Sequence, residues 1–417
     1  MQLLIQQVTL FAPKSEFHMQ TKDVLIQDGI IQQIADSISV KAEQVIPASG
    51  YVLSIGWLDG LVSFGEPGYE ERETLVNGLQ VAAKSGFTHI LLQPNTLPVT
   101  DNEVQVSWLQ QASQHTATKI LVQGALTQKM EGNHMAEMYA MHQAGAVCFG
   151  DYGKPVNNSL LLKIALEYTK DFKGLVVAFS QDTHLAFKGY VHEGEVSTKL
   201  GMKGIPAMAE AVAIARNLAI LEYTGGKLHL PLISTLASVK LIQEAKAKGL
   251  QVTCSVSVHH LCLTDENLVS FDANYKVRPP LRDEATRQGL VQAVLDGVID
   301  IVVTDHCPID IENKKLEFDL AKFGTIGLES AFGALCKVLP WEVVVEKLTR
   351  GYAIFGVDEP NIEVGHKANL TLFDANKFWE FQEKDILSKS KNAAMLGKPM
   401  KGKAVAVIHQ NQVVYGN

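Results

Sequence analysis

Short apolar runs recur along the middle of the chain, and most are followed by a segment with helical spacing, such as 103–113 or 159–171. Continuous apolar strands that alternate with helices are typical of a parallel sheet covered on both faces. Eight such units in about 300 residues predict an α/β fold, a (β/α)8 barrel of the TIM type. The predicted strands are 52–56, 89–95, 119–126, 146–151, 174–180, 227–234, 251–257 and 300–306.

The two ends of the chain show a different pattern, in which apolar and polar residues alternate as in half-buried strands. An Asp28-Gly29 pair divides the N-terminal strands, and a polar turn at Gln410-Asn411 divides the C-terminal ones. A lone hairpin is marginal in water, so we expect both ends to pack together as one small β-sandwich. The predicted domains are a composite sandwich, 1–54 with 366–417, and a barrel, 55–365.

Composition narrows the class of protein without changing this fold. The 417 residues are 47% hydrophobic and 20% charged, as in an ordinary globular protein. The net charge of −8 argues against a nucleic-acid partner. No apolar run reaches the roughly 18 residues of a membrane span, and the N-terminus lacks signal-peptide features. Five scattered cysteines without a CxxC pair indicate reduced thiols and a cytoplasmic location.

In a barrel of this kind, chemistry lies at the carboxyl ends of the strands. The first such end is the stretch WLDGLVSFGEPG (57–68), where a barrel enzyme typically carries a His-x-His pair of metal ligands. The corresponding residues here are Leu61 and Ser63. The longest interruption of the pattern, 181–205, is polar and rich in glycine, and we interpret it as a loop over the barrel mouth.

Several segments together carry a family resemblance that covers essentially the whole chain. They include FGEPGYEERET (64–74), QPNTLPVTD (93–101), VHEGEVS (191–197), GIPAMAEAVAIARN (204–217), HHLCLTDENL (259–268), YKVRPPLR (275–282), DGVIDIVVTDHCP (296–308), GTIGLE (324–329) and GHKANLTLFD (365–374). In this order the set resembles the dihydroorotase family, the multifunctional-complex branch of the amidohydrolase superfamily. The resemblance implies a metal-dependent hydrolase barrel with a terminal β-sandwich.

The resemblance also implies a zinc centre, held by two histidines on strand 1, a carboxylate after strand 4, one histidine on each of strands 5 and 6, and an aspartate on strand 8. In this chain these positions are Leu61, Ser63, Asp151, Phe179, Leu232 and Asp305. All four histidines are replaced, and leucine and phenylalanine offer no lone pair to an ion that prefers nitrogen and sulfur ligands. We therefore expect no intact metal site and no cofactor, although active relatives use zinc.

The positions that hold substrate in the family are also altered. An arginine, two asparagines and a histidine are expected at Gly65, Asn95, Arg278 and Ile309, and only Asn95 matches. Loss of the arginine removes a bidentate clamp for a carboxylate. Arg278 is a candidate replacement charge, at a different geometry.

Asp305 is the remaining candidate for catalysis, as a vestige of the family's base. The alternative is a structural carboxylate at the barrel mouth, bonded to backbone or to a neighbouring cation. Asp151 has a similar alternative, as a loop or cap residue.

Three hypotheses for function follow. The first is a non-catalytic dihydroorotase homologue of pyrimidine biosynthesis, acting as a structural partner of aspartate transcarbamoylase, as some family members do. The second is an active enzyme that hydrolyses the ring amide of dihydroorotate at a site rebuilt around Asp305, Asp151 and Arg278. The third is a small-molecule binder that has kept the pocket but not the reaction. A homodimer also stays open, since relatives often dimerise.

Overall fold

The structure is a computed structural model, and it describes residues 1–416. Within these residues the strands β1 to β18 are Gln2–Phe11, Thr21–Gln27, Ile30–Ala35, Gln44–Pro47, Val52–Ile55, Trp57–Val62, Phe87–Leu92, Lys119–Gly124, Ala146–Phe149, Val176–Val177, Val191–His192, Gly204–Ile205, Leu228–Leu230, Val252–Ser257, Ile301–Val303, Asn369–Glu380, Pro399–His409 and Gln412–Tyr415.

The helices α1 to α14 of the same residues are Leu75–Lys84, Glu103–Ala112, Met138–Gln143, Ser159–Thr169, Thr183–Ala186, Glu195–Leu200, Met208–Thr224, Leu236–Ala247, Val258–Cys262, Glu284–Leu295, Ile311–Lys314, Ala331–Leu335, Trp341–Thr349 and Gly351–Ile354. Several start at a side-chain cap. Thr74, Asn102, Asn158 and Asp283 each accept a hydrogen bond from a backbone N–H of the first turn.

Eight parallel strands form the barrel, in the order β6, β7, β8, β9, β10, β13, β14 and β15. The first and last strands meet where the Ser63 N–H donates to the His306 carbonyl at 2.8 Å. The predicted (β/α)8 fold is therefore confirmed. Among residues 1–416, no helix is both long and apolar enough to cross a membrane.

The first barrel strand was placed wrongly from the sequence. Residues 52–55 form β5, which pairs with β1 and β16 in the second sheet, and the barrel begins with β6. The apolar run 51–58 spans two strands of different sheets, and they separate at Gly56. A Cβ on Gly56 would lie 2.1 Å from Asn369 Oδ1 and 2.2 Å from Thr88 Oγ1, so only glycine fits this junction.

Strands from both ends of the chain form the second sheet, in the order β18, β17, β16, β5, β1, β2 and β3, with β4 also paired to β1. Both predicted hairpin turns are confirmed. Asp28-Gly29 joins β2 to β3 and Gln410-Asn411 joins β17 to β18, each with two positive φ angles. One face of this sheet buries its own apolar core, which includes Leu3, Ile5 and Leu370.

The 181–205 segment contains more structure than the predicted loop. It forms α5, β11, α6 and β12, and β11 pairs in parallel with β12. Val191 and Met202 pack with Leu268 and Phe318 in a small core of their own. Elements of two to six residues are too short to produce a recognisable period in sequence.

Candidate functional site at the carboxyl end of the barrel

Three of the four replaced histidine positions meet inside the barrel. Leu61, Phe179 and Leu232 are 3%, 4% and 3% exposed and belong to one apolar cluster. The other buried members of that cluster are Leu58, Leu91, Cys148, Leu175, Val177, Ile301, Val303, Tyr352 and Phe355. We call this set the barrel plug. Leu61, Phe179 and Leu232 are its members at the carboxyl ends of the strands, where the resemblance places the family's histidine ligands.

The plug leaves almost no space at the strand ends. The cavity lined by Leu61, Asp151, Phe179 and Leu232 has a volume of about 10 Å³. A cavity of about 10–15 Å³ holds one water molecule, whereas small-molecule sites measure about 300–1,000 Å³. A six-membered ring does not fit between these side chains as they are packed.

Ser63 and Asn95, one from a metal position and one from a substrate position, bond to each other. The Asn95 amide nitrogen lies 2.9 Å from Ser63 Oγ. The two side chains are therefore hydrogen-bonded to each other, across the ends of the first two barrel strands.

Asp151 organises the turn after β8. One of its carboxylate oxygens accepts from the backbone N–H groups of Leu126 and Thr127 at 3.0 and 3.1 Å, and the other accepts from the Thr127 hydroxyl. Burial raises the pKa of this carboxyl, and the hydrogen bonds oppose that shift. Both oxygens are engaged, as expected for the loop-residue alternative.

Asp305 is buried and has a partner that the sequence did not suggest. The Tyr152 hydroxyl donates to Asp305 Oδ1 at 3.1 Å, whereas the structural alternative had anticipated backbone or a cation. Burial raises the pKa of Asp305 to about 8, and the nearby Asp59 adds to the shift. At neutral pH the group is mostly a neutral acid. Tyr152 follows Asp151 after β9, the fourth strand of the barrel. That position at a strand end was the only feature of the sequence that pointed to Tyr152.

Arg278 does not join the two acids. Its guanidinium carbon lies 4.2 Å from the centre of the Phe323 ring, a stacked cation–π contact. Within residues 1–416 its Nε has no hydrogen-bond partner, and burial lowers its pKa. The second hypothesis expected a rebuilt site around Asp305, Asp151 and Arg278. Within residues 1–416, no hydrogen bond joins these three side chains to one another.

The loop after β6 folds back so that main chain lies directly against Gly65. A Cβ on Gly65 would lie 1.9 Å from the carbonyl oxygen of Tyr69, and the Gly65 N–H donates to the Glu73 carbonyl at 3.2 Å. The backbone of 69–73 therefore leaves no room for a side chain at position 65, where the resemblance implies an arginine.

A larger cleft of about 1060 Å³ opens beside the barrel mouth and does not reach the plug. Ile309 lines it together with residues 310–312 and 314–317, which include part of α11, and with the segment 389–392. Three of its lysines donate to backbone carbonyls, Lys314 to Lys322 and Gly324, Lys389 to Glu70, and Lys391 to Ile386 and Ser388. These hydrogen bonds hold the lysine side chains against the backbone at the edge of the cleft.

The side chains at the six family positions do not fit a zinc ion. Three are hydrocarbon and one is a hydroxyl bonded to Asn95. Both carboxylate oxygens of Asp151 accept hydrogen bonds from the 126–127 turn. Among residues 1–416, no three His, Cys, Asp or Glu side chains lie close enough to hold a metal ion. A borderline cation needs about four donors, mostly nitrogen or sulfur.

Comparison with known proteins agrees with the resemblance read from the segments. Residues 50–238 match the family model described as Dihydro-orotase-like. A dihydroorotase of Pelotomaculum thermopropionicum is 38% identical over 421 residues, which cover 99% of this chain and 98% of that protein. One of Geotalea daltonii is 36% identical over 404 residues, or 95% of each chain. The chain belongs to the dihydroorotase family.

Solved structures extend the likeness to the fold of this dihydroorotase-family chain. The L-hydantoinase (dihydropyrimidinase) of Arthrobacter aurescens superposes with a TM-score of 0.88 at 22% identity, covering 99% of this chain and 96% of its own. A D-hydantoinase of a Thermus species gives 0.81 at 20% identity, covering 99% and 95%. These structures thus share the fold of this chain, a barrel whose centre is apolar here.

Proposed function

We propose that this protein is a non-catalytic member of the dihydroorotase family, which serves pyrimidine biosynthesis as a structural partner of aspartate transcarbamoylase. The observation that carries the loss of catalysis is the barrel plug. Hydrocarbon side chains stand at three ligand positions and leave a cavity of about 10 Å³.

The chemistry of the family explains why these changes abolish turnover. Hydrolysis of a ring amide at neutral pH needs an activated water, and a bound ion lowers the pKa of water from about 15.7 to about 7. Asp305 as a neutral acid is a poor base, and its hydrogen bond to Tyr152 occupies one oxygen. Neither the nucleophile nor the substrate has a place at the strand ends.

The partnership rests on the family resemblance, in which non-catalytic members assemble with the preceding enzyme of the pathway. A folded barrel with a filled centre keeps its outer helices and loops, and assembly needs only those surfaces. The plug supports this use because it replaces a hydrated site with apolar packing and so favours a rigid scaffold.

A hydrolysis assay with dihydroorotate and the purified full chain tests the loss of catalysis. We expect no turnover above the uncatalysed background in either direction of the reaction. Asp305→Ala is the matched variant, and it should leave that background unchanged. Turnover by the wild-type chain that disappears in Asp305→Ala would refute the proposal and favour a rebuilt active site.

Co-purification with aspartate transcarbamoylase from the same organism tests the partnership. At micromolar concentration the two proteins should elute together, at an earlier volume than either protein run alone. Independent elution of both, with each correctly folded, would remove the partner claim and leave the loss of catalysis standing.

Binding of a small molecule is the second candidate, because the cleft of about 1060 Å³ beside the mouth is large enough for one. Equilibrium dialysis with dihydroorotate and with carbamoyl aspartate distinguishes the two. If the protein retains neither compound at millimolar concentration, the result favours a structural partner. Saturable binding of either compound favours a small-molecule binder.

A further inference from the structure

A cavity of about 500 Å³ lies where the second sheet meets the barrel. It is lined by residues 11–14 at the end of β1, by Val345, Arg350 and Ala353 on and between α13 and α14, and by residues 359–361 of the linker to β16. We call it the junction cavity. We infer that it binds a small organic monoanion, in which one carboxylate is attached to an aromatic or branched aliphatic body.

The junction cavity lies at the amino ends of the barrel strands, opposite the ends that carry Asp305. Arg350 Nη2 lies 3.7 Å from Asp300 Oδ1, and Asp300 directly precedes β15. Ile55, which also lines the cavity, ends β5 two residues before β6 begins. Small-molecule sites form preferentially where domains meet. A ligand held here contacts none of the residues at the family's metal positions.

The size and the walls of the cavity suit a molecule with an apolar body. Its volume falls within the range of about 300–1,000 Å³ that small-molecule sites occupy. Phe11, Ile55, Val345 and Pro360 contribute apolar side chains to the wall. The Phe11 ring is fixed by an edge-on contact with Trp341, with ring centres 5.2 Å apart. A ring or branched chain placed against these side chains leaves water, which favours binding.

The charged groups around the cavity leave one positive charge without a carboxylate of its own. Three acids line the cavity or lie beside Arg350, and each of them has a lysine partner. The pairs are Glu359 with Lys14 at 2.5 Å, Asp300 with Lys246 at 2.6 Å, and Glu346 with Lys347 at 3.6 Å. Arg350 is the remaining cation, so this group of charges has an excess of one positive charge that a monoanion would neutralise.

Arg350 also has N–H groups available for a ligand. Its carboxylate neighbours within residues 1–416 are Asp300 at 3.7 Å and Glu346 at 3.9 Å, and both distances are too long for a hydrogen bond. The side chain is 48% exposed, so a ligand in the cavity can reach it. Because the planar guanidinium matches a carboxylate with two parallel hydrogen bonds, Arg350 fixes both the charge and the orientation of the ligand.

Isothermal titration calorimetry of the full chain with 2-naphthoate tests this site. The probe joins a fused aromatic body to one carboxylate, and it should bind at one site per chain with a dissociation constant of at most about 1 mM. Two analogues separate the parts of the probe. The uncharged 2-naphthamide should bind at least about tenfold more weakly, and acetate, which lacks the apolar body, should show no saturable binding.

Two variants locate the probe in the junction cavity. Arg350→Gln should weaken the binding of 2-naphthoate by at least about tenfold, because the charge-assisted hydrogen bonds are lost. Ala353→Trp should weaken it by filling the cavity, and Ala353 is exposed, so the new side chain disturbs no core. The matched control is Lys199→Gln, which removes one positive charge from an exposed side chain on α6 and should leave the affinity unchanged.

Circular dichroism checks that each variant is folded. A wild-type chain that shows no saturable binding of 2-naphthoate would overturn the inference. Binding that both Arg350→Gln and Ala353→Trp leave unchanged would also overturn it, because the probe would then occupy another part of the surface. Equal affinities for 2-naphthamide and 2-naphthoate would show that the cavity does not select an anion.

Discussion

Two residues at family ligand positions have an unusual backbone conformation. Leu232 has a φ of +56° and Asp305 a φ of +49°. The left-handed conformation costs an L-residue roughly 1–2 kcal/mol, and strain of this kind concentrates at functional positions. Both residues thus hold a strained backbone at a strand end, and Leu232 places a hydrocarbon side chain there.

Asp305→Asn should make the protein relatively more stable at high pH. The folded pKa of about 8 lies above the unfolded value of 3.8. The proton on Asp305 therefore stabilises the fold fully below pH 4, and this contribution is lost as pH rises through 8. The free energy of unfolding of Asp305→Asn, relative to wild type, should rise by at least about 1 kcal/mol between pH 5 and pH 9.

Urea unfolding at the two pH values measures this difference. If Asp305 were ionised on a cation, the substitution would instead lower the free energy of unfolding at both pH values by a similar amount. That result would contradict the neutral, Tyr152-bonded carboxyl described here.

Phe179→Ala should destabilise the fold as a core substitution does. Phe179 is 4% exposed within the plug, and truncation of a buried phenylalanine costs about 3–5 kcal/mol. Phe378→Ala is the control, since Phe378 is 71% exposed on β16 and its loss should cost within about 0.5 kcal/mol. Equal small effects in thermal unfolding would show that Phe179 lines open space.

At the scale of single elements, the loop after β6 folds back against its own backbone at Gly65. Gly65→Ala should cost more than Gly132→Ala, because the new Cβ meets the Tyr69 carbonyl at 1.9 Å whereas nothing lies within 4 Å at Gly132. Gly132 has a φ of +75°, so its substitution costs about 1 kcal/mol from the backbone alone. Chemical unfolding of both variants compares the two costs, and a Gly65→Ala cost at or below that of Gly132→Ala would show that the loop is loose.

The order of elements was predictable because periodicity survives in single strands and helices. The alternation of apolar runs and helices gave the barrel, and Asp28-Gly29 and Gln410-Asn411 gave the hairpins. The boundary at Gly56 was not predictable, because the apolar run continues across it and only the tertiary contacts with Thr88 and Asn369 divide it.

The sequence predicted which residues lie at the candidate site, but it did not predict how their side chains pack. Family correspondence identified Leu61, Phe179 and Leu232, but their meeting in one cluster is a property of the closed barrel. The bond from Tyr152 to Asp305 joins residues 153 positions apart, and no local pattern reports it. The closed path at Gly65 depends in the same way on the backbone of a neighbouring segment.

At the scale of the whole molecule, the (β/α)8 barrel and the second sheet surround an apolar centre. Packing of the plug contributes to folding, since buried apolar area stabilises by about 25 cal/mol per Å². A hydrated ion site would oppose that packing. The side chains that fill the strand ends are therefore part of the barrel core.

Elemental analysis of the purified full chain tests this account most directly, after dialysis against zinc and then against metal-free buffer. The account predicts well under one zinc, or any other transition metal, per chain, because only Asp151 and Asp305 remain of the family's six ligand positions as potential ligands. One or more ions retained per chain, and lost on Asp305→Ala, would contradict it.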